Sequence, residues 1–443
     1  MNTCDVVVVG AGSVGAAAAL AFAHAGKHVV LIDPRPDPFP SVAVGSGFSL
    51  PGSALSSGPG VFALPPEVLP IDPDDWDMRV FALSPASCRL LGQLGVWPRM
   101  AGSRLAPVYD MRLFHDADGG GRQESLRLEA YQGQIESLAQ IVEGRHLQGA
   151  LDAAVADASR VMRLQRLVGT VVGLELPAEA DLRAGARLTL ANGEIWRTGL
   201  VVAADGARSP LRELAGLAHR VLDYRQTAVV ANFDSELSHR DAAWQWFDRD
   251  QGVMALLPLP AQDRPAGTGR VSLVWSAPSA RSNELLAMSG GALAETVAAQ
   301  ARGALGKLRQ ITPAASFPLC SISCPQVMAP GFVMIGDAAH VVHPMAGQGL
   351  NLGFGDVQAL VDALLMPGAA QAWHKGSPSR LLLRRYERAR REPVALMQAT
   401  MTGLHRVFGP GLPSAVASLR NVGWQAVSAS GLLKRLLIGH AIR

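Results

Sequence analysis

Three short stretches carry residue types that could do chemistry together. The first is Gly10-Ala11-Gly12-Ser13-Val14-Gly15, followed downstream by an acidic residue, Asp33. The second is Asp205-Gly206. The third, "GDAAHVVHPMAGQGLNLGFGD", runs from Gly336 to Asp356. The G-x-G-x-x-G spacing suits a turn that holds a dinucleotide pyrophosphate. Gly10 permits a tight turn, Gly12 lets a phosphate approach the backbone, and Gly15 lets a helix pack closely on a strand. The free N–H groups of the helix start offer partial positive charge to the phosphates. Asp33 has acceptor oxygens for a ribose. The motif alone does not say which dinucleotide is bound.

In the third stretch, Gly336-Asp337 would end a strand, with the Asp337 carboxylate free for a ribityl or ribose hydroxyl. "HPMAGQG" reads as a glycine-broken turn, and "LNLGFGDVQALVDALL" has helical spacing. Gly349, Leu350 and Asn351 would then carry the first helical N–H groups. Such a helix end stabilises negative charge by roughly 0.3–1 kcal/mol, up to ~2 when partly buried. An isoalloxazine ring, which gains negative charge at its N1–C2=O edge on reduction, would suit it. His340 and His343 are three apart, but no carboxylate or third histidine accompanies them at metal spacing. They are expected to line a pocket, with no metal. The chain contains no P-loop, HExxH, GxSxG or CxxC and no second dinucleotide fingerprint.

The elements that must position these residues follow from periodicity. Val6–Val9 reads as a strand buried on both faces, Ala16–Ala25 as a helix ended by Gly26, and Val29–Ile32 as the next strand. This is a βαβ unit. Residues 34–75 are rich in Pro, Gly and Ser and are expected to be partly mobile or to form a lid. Pro85–Leu94 reads as a helix with Ser84 as N-cap. Residues 140–156 read as a helix, followed by strands at Val168–Leu176 and Arg187–Leu190. Asn192-Gly193 marks a hairpin, and Val201–Ala204 reads as a further strand. Strand-like runs "TAVVANF", "GVMALLPLP" and "VSLVWS" then precede a helical stretch from Ser282 to Leu308. Phe332–Ile335 resumes the buried-strand style. The tail from Arg380 reads as helical and basic.

The chain of 443 residues is 49% hydrophobic with a net charge of +3, which gives no argument for nucleic acid. Its four cysteines are too few and too irregular for a disulfide framework and read as buried or free thiols of a reducing compartment. No signal peptide is visible, and no uncharged run reaches the ~18 residues of a membrane span. A soluble cytoplasmic protein, at most peripheral at the inner membrane surface, is expected. The run "RLLLRRYERARR" (380–391) reads as a solvated helix face that could also attract anionic lipid headgroups. Trp244 and Trp246 alternate on a strand and read as core or as pocket wall.

The three motifs in this order resemble those of the class A FAD-dependent aromatic monooxygenases. The wording of the third is similar to the ubiquinone-biosynthesis hydroxylase branch, as are "MRVFALSPAS" (78–87), "LLPL" (256–259), "SLVWS" (272–276) and "YERARR" (386–391). The resemblance covers nearly the whole chain. It implies an α/β fold: a Rossmann-like, para-hydroxybenzoate-hydroxylase-like FAD-binding domain, an inserted mixed β-sheet substrate domain and a C-terminal helical region. The FAD-binding parts are placed at 1–105, 140–218 and 316–370, the substrate domain at 106–139 and 219–315, and the helical region at 371–443.

The resemblance also assigns roles. Gly10, Ala11, Gly12, Val14, Gly15 and Asp33 would hold the ADP half of FAD. Arg79 would reach the phosphate and ribose region, and Gln140 the ribityl chain. Asp205 would serve FAD and NAD(P)H binding indirectly. Gly336 and Asp337 would bind the ribityl or pyrophosphate region. Pro344 and His343 would lie near the reactive flavin edge, with Gly347 in the turn and Gly349, Leu350 and Asn351 at N1–C2=O. Asp33 stands where glutamate is commoner in the family, and the 34–75 segment is longer than usual. The implied reaction uses NAD(P)H and O2 to hydroxylate an aromatic ring through a flavin C4a-hydroperoxide. The implied substrate is a lipophilic polyprenylphenol-type precursor of ubiquinone. A general base would help to form the phenolate, but no residue is assigned to it. Two rivals remain: hydroxylation of a small aromatic acid held by an arginine such as Arg225, and a non-catalytic flavoprotein subunit of a biosynthetic complex.

Overall fold

The computed structural model describes residues 2–36, 72, 75–116, 122–248, 250–343, 347–365, 373 and 377–408. The β-branched run Val6–Val9 suits an extended segment buried on both faces. It forms the buried end of the strand Asn2–Val9. Val29–Asp33 and Ile195–Ala203 flank that strand in parallel, with Val6 opposite both Val29 and Leu200. Phe332–Met334 extends the parallel set on one side and Leu164–Val168 on the other. The spatial order is therefore 332–334, 195–203, 2–9, 29–33, 164–168. The turns at the carboxyl ends of the first three carry Gly336, Asp205 and Gly10, and Asp33 ends the fourth. Ligands of doubly wound sheets bind at this edge. Strand order alone makes neighbours of motifs more than three hundred residues apart.

Helices Ser13–His24, Gly144–Val161 and Gly349–Leu365 cover one face of this sheet around Leu20, Phe22, Leu147, Leu151, Val357 and Leu360. The other face carries the antiparallel strands Val171–Glu175 and Ala186–Leu190. The hairpin at Asn192-Gly193 is present, with Gly193 at φ +84°. Its second arm runs on into the parallel sheet, so the two strands expected at 194–198 and 201–204 are one.

A second, nine-stranded mixed sheet contains the strands Asp110–Asp116, Arg122–Glu129, Arg220–Ser235, Ala242–Asp248, Gly252–Leu259 and Gly269–Pro278. Helices Ser279–Ala287 and Gly290–Gln300 pack on one face around Phe233, Trp246, Met254 and Trp275. A small sheet of Val80–Leu83, Ala139–Glu143 and Leu105–Val108 packs on the second sheet, with Ala106, Val108 and Ile141 against Ala243 and Leu259.

Several expectations need correction. Residues 140–143 are not helical: Ala139–Glu143 is the central strand of the small sheet, and the helix starts at Gly144. The short apolar pair Ile141-Val142 satisfies its backbone between two neighbouring strands. The helical stretch from 282 is broken at Met288-Ser289, where Ser289 caps a second helix by accepting from the Ala292 N–H. The boundary drawn at 315/316 cuts a strand, because Ala315–Ser323 pairs along Arg220–Ser235 in the second sheet. The tail is helical over Arg380–Phe408. Most of the 34–75 segment, Pro344 and everything after 408 lie outside the described residues. Among those described, no helix is long and apolar enough to cross a membrane.

Candidate functional site

The fingerprint turn shows which glycines the protein itself requires. Gly10 sits at φ +103°, and a Cβ there would lie 2.3 Å from the Ala204 carbonyl oxygen. A Cβ on Gly15 would lie 1.9 Å from the Gly10 oxygen. Gly12 differs: a Cβ there would meet nothing within 4 Å. It caps a helix that has no side-chain cap and no acidic residue in its first turn. The first N–H groups of that helix lack intrahelical partners and suit phosphate. Gln148, which the sequence did not single out, braces the turn. Its amide donates to the Ala11 carbonyl (2.9 Å) and its Oε1 accepts from Ser13 Oγ (3.1 Å).

Asp33 is buried, and its oxygens accept from the Ala11 N–H (2.6 Å), the Arg35 N–H and Nε (both 2.8 Å) and Arg35 Nη2 (3.1 Å). Burial works to raise its carboxyl, but Arg35 and the Ala11 amide outweigh it and hold the group below the usual range. The Arg35 side chain is 55% exposed, so a ribose hydroxyl would compete with it for Asp33. Asp205 Oδ2 accepts from the Leu211 N–H (3.0 Å). Its Oδ1 is buried, and burial raises this carboxyl, with Ser209 and the Leu211 N–H opposing.

The first and third motifs interlock at Val14. A Cβ on Gly336 (φ +58°) would come 3.2 Å from Val14, and one on Gly353 would come 2.5 Å from it. Asp337 follows Gly336 in a short 3-10 turn. It is exposed yet surrounded by protein on most sides, as a side chain in the wall of a cleft would be. That surrounding raises its carboxyl, with His340 and Arg79 opposing. Gly347 is left-handed at φ +62°. Gly349 opens onto free space as Gly12 does. Leu350 packs beside the main core. The Asn351 side chain is a latch: Nδ2 donates to the Ala82 carbonyl (2.8 Å), and Oδ1 accepts from the Ser84 N–H (2.9 Å) and Ser87 Oγ (2.8 Å). It fixes the helix start to the 80–87 segment.

The same segment carries Arg79, whose guanidinium lies over the rings of Phe81 (5.0 Å) and Phe317 (5.6 Å). Just before it, Trp76 is clamped between the guanidiniums of Arg104 (4.0 Å) and Arg270 (4.4 Å). Gln140 faces Leu83 in the small sheet and bonds weakly to Ser137 at 3.4 Å. The two loop histidines have separate partners. His340 pairs with Asp356 (2.7 Å), while His343 Nε2 is 3.0 Å from Gln226 Oε1 and its ring meets Tyr224 edge-on.

These residues fit FAD. Gly12 would offer a cradle for the pyrophosphate, Asp337 a carboxylate and Gly349 an open approach to helical N–H groups. Beside the Gly347-Gln348 turn lies a cavity between the small sheet and the face of the second sheet opposite its two helices. Met111, Leu128, Leu138, Val253, Ala255 and Leu257 line it, with Ser84, Gln245, Ser276 and Gln348 as its polar members. No ionisable side chain is among the described lining residues. Met397 and Met401 of the long C-terminal helix pack with Met111, Leu128 and Val253. Trp244 and Trp246 both stack on Phe114; Trp246 is core, and Trp244 also reaches the cavity. Arg225 is exposed at a left-handed position and is not in the lining.

Residues 79–400 match a family model described as an FAD binding domain. The chain is 31% identical to 3-demethoxyubiquinol 3-hydroxylase of Escherichia coli, over 99% of this chain and 98% of that protein. It is 33% identical to ubiquinone hydroxylase UbiL of Rhodospirillum rubrum, over 100% of this chain and 90% of that protein. Among solved structures, p-nitrophenol 4-monooxygenase PnpA of Pseudomonas putida superposes with a TM-score of 0.68 at 17% identity, covering 100% and 99% of the two chains. Klebsiella pneumoniae HpxO, complexed with FAD and uric acid, gives 0.66 at 14%, covering 100% and 97%. These structures show a shared fold. With its motifs gathered on one sheet edge, this chain belongs to the FAD-dependent aromatic monooxygenases, in the ubiquinone-biosynthesis hydroxylase branch.

Proposed function

We propose that this monooxygenase hydroxylates the ring of a lipophilic, polyprenylphenol-type precursor of ubiquinone, with NAD(P)H and O2 as co-substrates. The observation that carries the reading is the cavity beside Gly347 and Gln348: apolar, and without a charged group in its described lining. FAD, when bound, supplies the redox chemistry and the activation of oxygen. The protein's part is to bind, orient and keep water out. Met111, Leu128, Val253 and Leu257 would exclude water from the ring, and Ser84, Gln245, Ser276 and Gln348 would orient a phenolic hydroxyl by neutral hydrogen bonds. The Gly349–Asn351 N–H groups would face developing negative charge.

A small aromatic acid would need a cation in the cavity. Arg225, raised for that role, does not line it, so this rival loses its support. The proposal extends to location. Arg384, Arg385, Arg388 and Arg391 are exposed with Leu381 on one helix, which suits an enzyme peripheral to an anionic membrane surface in the cytoplasm. A biosynthetic complex there remains part of the proposal.

The test is complementation of strains each lacking one ring-hydroxylation step, with accumulated intermediates identified. Rescue of one step supports the reading; rescue of none overturns it. Leu257→Arg, which puts a charge into the cavity, is expected to abolish rescue while the purified protein still binds FAD.

A further inference from the structure

Asp356, at the end of the third motif, is completely buried. Its Oδ2 accepts from the Gly336 N–H (2.7 Å) and from His340 Nε2 (2.7 Å), and its Oδ1 accepts from Arg390 Nε (2.6 Å). Burial works against ionisation here, but His340 and Arg390 outweigh it and hold the carboxyl below the usual range. Asp356 is thus a carboxylate, and the His340 nitrogen is the donor. Arg390 Nη2 also donates to the Leu352 carbonyl (3.0 Å), near the start of the motif helix. Gly355 makes room for this: a Cβ there would sit 3.0 Å from the guanidinium.

We propose that Arg390 is a positioning residue of the FAD site and acts through Asp356. Arg390 belongs to the basic run 380–391, yet it points inward. It neutralises the carboxylate that fixes the Gly336 N–H. Gly336, left-handed and pressed on Val14, opens the turn that presents Asp337 to the cleft. Loss of Arg390 leaves a buried carboxylate short of one of its three donors. The disturbance reaches Asp337 through two hydrogen bonds, without any contact between Arg390 and the cofactor. The inference rests on FAD binding in this cleft and not on the identity of the ring substrate.

The geometry also supplies a test by chemical rescue. Arg390 lines an open crevice with Cys324, Tyr386, Glu387 and Val394, so a small guanidinium can enter from solvent. Apoprotein is titrated with FAD, following flavin fluorescence, for wild type, Arg390→Ala, Arg390→Lys, Asp337→Ala and the double variant. Arg390→Ala is expected to raise the Kd about tenfold or more and Arg390→Lys by less. Ethylguanidinium should recover part of the loss in Arg390→Ala and leave wild type unchanged. Exposed Arg391→Ala should stay within about twofold. Because the effect passes through Asp337, Arg390→Ala and Asp337→Ala should be clearly less than additive. An unchanged Kd in folded Arg390→Ala, or full additivity, overturns the proposal. Should Arg390→Ala not fold, Arg390→Lys carries the same cycle.

Discussion

In the first glycine-rich segment, Gly10 and Gly15 are crowded by neighbouring backbone, and only Gly12 opens outward. In the second, Gly336 and Gly353 receive one side chain, Val14, and Gly355 receives Arg390. The first turn is held by backbone packing and by the Ala11–Asp33 and Ala11–Gln148 bonds. The second is held by a buried charge cluster around Asp356 and by the Asn351 latch. Backbone crowding cannot relax, whereas a side chain can shift. Similar glycine density therefore has different tolerances to substitution.

The largest expected effect separates two glycines of one motif. Gly15→Ala puts a methyl into the Gly10 carbonyl and should cost at least the ~3 kcal/mol of severe overpacking, seen in apoprotein thermal unfolding. Gly12→Ala should leave apoprotein stability within ~0.5 kcal/mol and raise the FAD Kd about tenfold or more, since the methyl takes the space of the phosphate. Equal melting temperatures for both variants would erase the contrast between crowded and open glycines.

Asp337 comes next. Asp337→Ala should lower FAD retention about tenfold, or ~1.4 kcal/mol, with the fold intact. Its carboxyl is raised in the folded protein, so the folded state binds a proton more readily than the unfolded one. The contribution of this group to apoprotein stability is then greatest at low pH and falls as pH rises through the folded value. Asp337→Asn should accordingly raise the apoprotein melting temperature at neutral pH while weakening FAD. A loss of apoprotein stability would contradict that sign.

Gly353→Ala should destabilise less than Gly15→Ala, by ~1–3 kcal/mol in denaturant unfolding, because Val14 Cγ2 can yield. The smallest effect concerns Arg35→Ala. The pair with Asp33 is largely exposed on the arginine side, so the FAD Kd should change by less than about fivefold. A larger loss would mean that Arg35 itself grips the cofactor.

The one-dimensional pattern conveyed the parallel strands, the fingerprint and the third motif, because valine runs and positive-φ glycines express local physics. It did not convey partners distant in sequence. Gln148 bracing Ala11, and Asn351 tied to Ser84, depend on which helix face meets which turn. Gln140 was placed in a helix because a short apolar pair before a helical period carries too little signal to mark a separate strand. Arg390 was indistinguishable from its solvated neighbours, since only its tertiary partners Asp356, Leu352 and Gly355 turn it inward. The cavity was invisible for a similar reason: its walls come from separate strands whose alternation matters only once the sheet has formed.

The central claim is ring hydroxylation of a lipophilic phenol by the FAD-loaded enzyme. The most direct measurement incubates the holo-protein with NAD(P)H, isotopically labelled O2 and either a short-chain prenylphenol or a hydroxybenzoate, and identifies products by mass spectrometry. Labelled oxygen should appear on the prenylphenol ring, with little product from the hydroxybenzoate. NAD(P)H oxidation that yields only peroxide with the prenylphenol, or preferential hydroxylation of the hydroxybenzoate, would contradict the account.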